Sequence, residues 1–218
     1  MENLDFKLIS DPAVLAVPIV DNGDALLDIT NDPKLRIDPR KSKSSSSYSR
    51  LRNLVVEKLL KAQSLLPAGL QLLIIEGHRP LTLQKRYFDD YSKELANLHP
   101  DWNTDTLYKE ASKFVAPPAI IPPHSTGGAV DLTLADSSGH ELDMGTRVNA
   151  DPEESNNACF TVAENISQFS KENRQILIDA MLNAGFVNYP TEWWHWSYGD
   201  RYWAYVTKQP HAIFGSVE

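Results

Sequence analysis

A chain of 218 residues can bury one sizeable core, or at most two small ones. Its formal charge of −8 argues against nucleic acid or an anionic membrane as the main partner. No apolar run approaches the roughly 20 residues of a membrane-spanning helix. The acidic start, Met1-Glu-Asn-Leu-Asp-Phe-Lys7, lacks the apolar centre of a secretory signal, so a cytoplasmic location is expected. Cys159 is the single cysteine, which rules out an intramolecular disulfide. A nucleophilic role would need a base beside it, and Asn157-Ala-Cys-Phe-Thr161 supplies none; a buried, inert thiol is expected.

Taken in chain order, residues 7–35 alternate apolar runs with turn signals. Asn22-Gly23 between Leu15–Val20 and Ala25–Ile29 reads as a hairpin or a tight turn. Residues 1–45 are expected to form an N-terminal extension packed on the main domain. Residues 41–49, Lys-Ser-Lys-Ser-Ser-Ser-Ser-Tyr-Ser, read as a solvated flexible loop, with a lid over a nearby site as the sharper alternative. From Arg50 to Leu66 the apolar residues Leu51, Leu54, Val55, Leu59 and Ala62 fall at helical spacing. Leu70–Ile75 is a run of strand length, apolar enough to be buried on both faces, and it empties into Glu76-Gly-His-Arg-Pro80.

Pro80 suits the first turn of a helix reaching about Leu98, and Asn103 or Thr104 caps another over roughly Asp105–Phe114. Four prolines in Ala116-Pro-Pro-Ala-Ile-Ile-Pro-Pro123 impose a stiff approach to His124. Gly127-Gly128 permits a sharp turn, after which Ala129–Leu134 alternates as a strand with Asp131 and Thr133 on one face. A helix capped by Ser170 runs over about Lys171–Ala184, stopped by Gly185. Glu192–Tyr198 and Tyr202–Thr207 read as two strands around Gly199-Asp200. Helices and strands mix without a βαβ repeat, which predicts one α+β domain over residues 1–218.

Two stretches carry chemistry. His124-Ser-Thr-Gly-Gly-Ala-Val-Asp131 and Glu192-Trp-Trp-His195 together offer two imidazoles and a carboxylate, plus a spare carboxylate three residues before one imidazole. Zinc accepts such mixed nitrogen and oxygen ligands, and a hydrolytic site keeps its fourth position for water. The spare carboxylate can then take that water's proton. Glu192 and His195 have opposite strand parity, so both reach one metal only through a bend after Pro190 or a bulge. Trp193, Trp194 and Trp196 otherwise read as core, at least two of them. Arg79 is either an ordinary ion-paired arginine or a fixed cation for a carbonyl oxygen that gains charge, with Glu76 able to hold it. His99, His140 and His211 are expected at the surface, outside any site.

Glu76-Gly-His-Arg-Pro80, His124–Asp131, Asp131-Leu-Thr-Leu134, Met144-Gly-Thr-Arg147 and Glu192–His195 resemble, in order and spacing, the D-alanyl-D-alanine dipeptidases of the D,D-peptidase/hedgehog fold group. The likeness spans roughly residues 50–200. It implies a single α+β domain with a central antiparallel sheet flanked by helices, and one Zn(2+) on His124, Asp131 and His195. It further implies Glu192 as catalytic base, Arg79 as transition-state arginine, and a small D,D-dipeptide as substrate.

Three departures from the family pattern stand out. Pro122-Pro123 replaces serines, Asn149 replaces an acidic residue near the substrate ammonium, and His78 replaces a phenol. These changes bear on substrate choice and leave the metal chemistry intact. The competing readings are a peptidoglycan D,D- or L,D-carboxypeptidase and a non-catalytic zinc-binding domain of the same fold.

Overall fold

Two buried strands build the centre of the molecule, whose residues 6–217 are described by a computed structural model. Strands β4 (Leu70–Glu76) and β5 (Ala129–Asp136) pair antiparallel, from Leu70 opposite Asp136 to Glu76 opposite Asp131. The register slips between Ile74 and Glu76, so β4 carries a bulge at its last turn of pleat. A bulge re-aims the side chain beyond it, and here that side chain is Glu76. β7 (Glu192–Ser197) adds to the other edge of β5, and β6 (Val187–Tyr189) closes that side. On the far edge the two-residue β2 (Arg36–Ile37) lies parallel to β4, giving the order β2-β4-β5-β7-β6. The sheet is therefore antiparallel through four strands, and only its short rim is parallel.

Helices α2 (Asn53–Leu65) and α5 (Gln168–Ala184) pack on each other and on the sheet. Val55, Leu59, Leu72, Ile74, Leu132, Leu177, Met181 and Trp196 join them in one core. Burying each such aliphatic side chain is worth about 1.5–3 kcal/mol, which is why the apolar run of β4 and the alternate apolar residues of β5 commit both strands to the centre. α3 (Leu81–Leu98) and α4 (Thr104–Ala111) form a separate pair around Phe88, Leu95 and Ala111. No helix among the described residues is long and apolar enough to cross a membrane.

The N-terminal region is woven in. Residues 1–5 of the expected extension lie outside the described residues. Beyond them, α1 (Pro12–Leu15) packs on α6 (Arg201–Val206), burying Val14 beside Tyr189 and Tyr202. β1 (Leu26–Asp28) pairs antiparallel with β3 (Arg50–Arg52), and β2 belongs to the main sheet. Asn22-Gly23 therefore forms no hairpin: residues 21–25 run without regular structure, with the Gly23 amide donating to Asp21 Oδ1 at 2.7 Å. The helix expected from Arg50 begins at Asn53, because residues 50–52 are taken by β1. In the serine-rich segment the Ser44 and Ser45 amides fold back on the Lys41 carbonyl, while Tyr48 and Ser49 are buried.

One expected strand is a helix. Residues 201–206 form α6, and the Asp200 side chain caps it by accepting from the Trp203 amide at 2.8 Å. The aromatic content of Tyr202–Tyr205 favours a strand on propensity, but a cap and the packing of Tyr202 on Tyr189 override it. α5 starts earlier than Lys171 because Ser167 is the cap, receiving the Ser170 amide at 3.0 Å. Gly185 ends it at φ 102, a conformation that a residue with a Cβ adopts at a cost.

Candidate metal centre

His124 sits on a short 3-10 turn, Pro123–Thr126, that Gly127 closes at φ 71. The prolines before it fix the direction of approach, and the left-handed glycine turns the chain into β5. The ring is buried, and Nδ1 donates to the Gly77 carbonyl at 2.7 Å. That bond leaves the Nε2 lone pair for a metal, the usual outer arrangement for a ligating imidazole. Asp131 follows on β5, directly across from His195 on β7. Paired strands place opposed Cβ atoms about 5 Å apart, so register alone brings the carboxylate and the second imidazole together.

The three ligand atoms form a small triangle. His195 Nδ1 is 3.0 Å from Asp131 Oδ1, His124 Nε2 is 3.2 Å from His195 Nδ1, and His124 Nε2 is 3.3 Å from Asp131 Oδ1. A tetrahedral ion with bonds of about 2.0–2.1 Å needs edges of about 3.3–3.4 Å, so the face needs only a slight expansion to hold one. All three residues are buried, and they are the one such cluster among the described residues. Burial by itself would raise the Asp131 carboxyl, but the charges and hydrogen bonds of His124 and His195 hold it well below the usual carboxylate range. It is therefore an anion, as a ligand must be.

Glu192 reaches the same place through the irregularity that strand parity demanded. Val187 pairs with Ser197 and Asn188 with Trp196, after which Tyr189 pairs with Glu192. The three residues skipped on β7 bring Glu192 to the His195 side, with Oε2 4.0 Å from His195 Nδ1. Asn188 staples the bulge, its amide donating to the Glu192 and His195 carbonyls at 3.2 and 3.0 Å. Burial pushes the Glu192 carboxyl up to about 7, with Asp131 adding to the rise and His195 and Arg79 opposing it. Trp193, Trp194 and Trp196 are all buried, as expected of core indoles.

Arg79 faces the site from the loop after β4. It donates to both oxygens of Glu76, from Nε at 2.7 Å and Nη2 at 2.8 Å, and from Nη1 to Gln84 Oε1 at 2.9 Å. Gln84 is fixed in turn by the Ala116 carbonyl at 2.7 Å. Glu76 is buried, which would raise its carboxyl, yet Arg79 holds it at about 2. The guanidinium is thus permanently charged and cannot swing freely.

A cavity of about 300 Å³ opens over this arrangement, and Pro122, Pro123 and Asn149 line it. Asn149 stands at φ 59, with its carbonyl accepting from Arg147 Nη1 at 2.7 Å. His78 points elsewhere: its Nε2 meets the Val217 carbonyl at 3.0 Å, and burial lowers its pKa. Cys159 is buried, and its thiol is pushed up by that burial. His99 stacks on Trp102 at 3.9 Å, and His140 is exposed.

Sequence reasoning passed over Gln84, Asn188 and Lys41. Gln84 carried one usable signal, a polar residue among the apolar positions of an amphipathic helix face. Asn188 and Lys41 carried none, since their roles depend on a bulge and on a fold-back.

A buried face of three ligand atoms, with a carboxylate and a fixed guanidinium beside it on an α+β scaffold, defines a class, that of the metallopeptidases. The comparisons with known proteins narrow it. The model of the D-Ala-D-Ala dipeptidase family, peptidase M15, matches residues 49–215, and the chain belongs to that family. A D-alanyl-D-alanine dipeptidase of Synechocystis sp. is 30% identical over 94% of this chain and 96% of its own. That of Enterococcus faecium is 33% identical over 65% of this chain and 69% of its own. Among solved structures, the LdcB LD-carboxypeptidase superposes with a TM-score of 0.50 at 19% identity, covering 87% of this chain and 74% of that one. It shares the fold.

Proposed function

We propose that this enzyme is a zinc-dependent dipeptidase that hydrolyses D-Ala-D-Ala to free D-alanine, one ion per chain held by His124, Asp131 and His195. The observation that carries the reading is the triangle of ligand atoms at 3.0, 3.2 and 3.3 Å with Glu192 4.0 Å away. Zinc suits two imidazoles and one carboxylate, and when bound it supplies a Lewis acid for the scissile carbonyl and for water.

The chain's own residues do the rest. Glu192 takes the proton of the attacking water and delivers it to the leaving amine; burial has raised its basicity toward neutral pH. Arg79, locked on Glu76 and Gln84, directs its remaining donor capacity at the carbonyl oxygen as charge develops there. Because the guanidinium is oriented before substrate arrives, little reorganisation is needed during the reaction.

Cavity size favours a dipeptide over a peptidoglycan stem peptide. About 300 Å³ is the lower end for a ligand site, which supports a small substrate. A carboxypeptidase would accept longer chains, and a structural metal site has no use for Glu192 or Arg79. The test measures zinc content together with D-alanine release from D-Ala-D-Ala and from a longer peptide ending in D-Ala-D-Ala. Stoichiometric zinc and release from the dipeptide alone are expected. Equal release from the longer peptide overturns the dipeptidase reading, and zinc without release from either overturns the enzymatic one.

A further inference from the structure

Lys41 is a cation in the cavity wall that the chemistry above leaves unused. It ends the short 3-10 turn Pro39–Lys41, and its side chain reaches into the cavity that holds the metal face. Its ammonium stands 3.3 Å from Glu76 Oε2 and 5.5 Å from the centre of the Tyr87 ring. Arg79 uses the same two neighbours, with Nη2 2.8 Å from that oxygen and Cζ 5.0 Å from that ring. Two cations therefore share one buried carboxylate, which leaves this group of three one positive charge in excess beside the metal face.

Glu76 gains little structurally from the second partner. The guanidinium fork already occupies both its oxygens, and an ammonium has three donors, of which one carboxylate oxygen engages one. The other lysine of the cavity, Lys113, is paired with Glu110 of its own helical segment. Asp90, also in the wall, has the wrong sign for an anion. Lys41 is left, a lining cation with more donors than the shared Glu76 oxygen can engage.

We propose that Lys41 receives the C-terminal carboxylate of the dipeptide. This rests on the D-Ala-D-Ala reading and adds how the substrate is oriented. Reach supports it: Lys41 Nζ and Arg79 Nη2 meet one oxygen, at 3.3 and 2.8 Å, so they lie within about 6 Å of each other. Covalent geometry puts a dipeptide's carboxylate within about 5 Å of its scissile carbonyl. With the carbonyl oxygen on Arg79, the carboxylate falls beside Lys41. The bond to it is charge-assisted, and the low-dielectric cavity strengthens it. The substrate's amino end then lies on the Glu192 and Asn149 side, which fixes which way round the dipeptide enters.

The experiment compares the zinc-loaded parent with Lys41→Met and Lys41→Arg on two substrates, D-Ala-D-Ala and its C-terminal amide. The parent is expected to prefer the free acid. Lys41→Met should raise KM for the acid by about 10- to 100-fold while kcat changes little, and leave the amide almost untouched, so the preference collapses. Lys41→Arg should restore most of it. Equal losses on acid and amide would show that Lys41 only steadies Glu76 and Arg79, and overturn the assignment. So would an unchanged preference in Lys41→Met. A parent that cleaves neither substrate fails at the dipeptidase reading itself, a result distinct from both.

Discussion

Replacing Glu76 by Gln tests how the candidate site is held together. Glu76 is 1% exposed and accepts two guanidinium bonds, at 2.7 and 2.8 Å. Gln keeps the volume but offers one acceptor and one donor, so an N–H of Arg79 meets another N–H and the buried cation loses its counter-charge. Burial alone would raise this carboxyl; Arg79 outweighs it and holds the group at about 2 against an ordinary 4.5. That displacement corresponds to about 3 kcal/mol of stability at neutral pH. It agrees with the roughly 3–5 kcal/mol lost when one partner of a buried pair is removed. Because the folded-state pKa is depressed, the contribution is complete above the unfolded value of 4.5 and fades as the pH falls toward 2. Glu76→Gln should therefore lower the unfolding free energy by about 3 kcal/mol at pH 7, with the gap to the parent closing on acidification. Turnover should fall by about 10²-fold or more as Arg79 loses its direction, while zinc stays bound. Urea denaturation at pH 7 and pH 3, run beside metal analysis and dipeptide turnover, reads all three. A variant as stable and as active as the parent at pH 7 would refute the claim that this carboxylate sets the arginine.

Three further outcomes separate the remaining roles. Glu192→Gln should keep its zinc and lose at least about 10²-fold in kcat; turnover at the parent rate would place the base elsewhere. Alanine at His124, Asp131 or His195 should sharply weaken zinc binding, since two protein ligands hold a catalytic ion poorly; full occupancy measured in all three variants would dismiss the site. Asn149→Asp places a carboxylate at the cavity wall, on a left-handed backbone that Asp also tolerates. KM for D-Ala-D-Ala should drop more than kcat changes, with no gain on the N-acetylated dipeptide; equal gains on both would remove Asn149 from the amine pocket.

Part of the candidate site was legible in short stretches because local geometry sufficed there. Prolines before His124, a glycine turn after it and strand alternation through Asp131 confine those two side chains within eight residues of chain. A continuous apolar run likewise marked β4, since burial on two faces tolerates little else, and alternation of apolar with polar residues marked β5. Tertiary structure decided the rest. That Asp131 lies opposite His195 is a matter of register between strands 64 residues apart. That Glu192 turns to the same side depends on a bulge stapled by Asn188, which no period in the sequence encodes. Lys41 comes from a serine-rich segment with no motif, and only the fold-back toward Glu76 gives it a place at the cavity. Residues 201–206 show the opposite case: aromatic composition favoured a strand, and the Asp200 cap with packing on Tyr189 made a helix. Propensity and spacing act over a few residues, whereas register, bulges and shared counter-ions are fixed by contacts between distant parts of the chain.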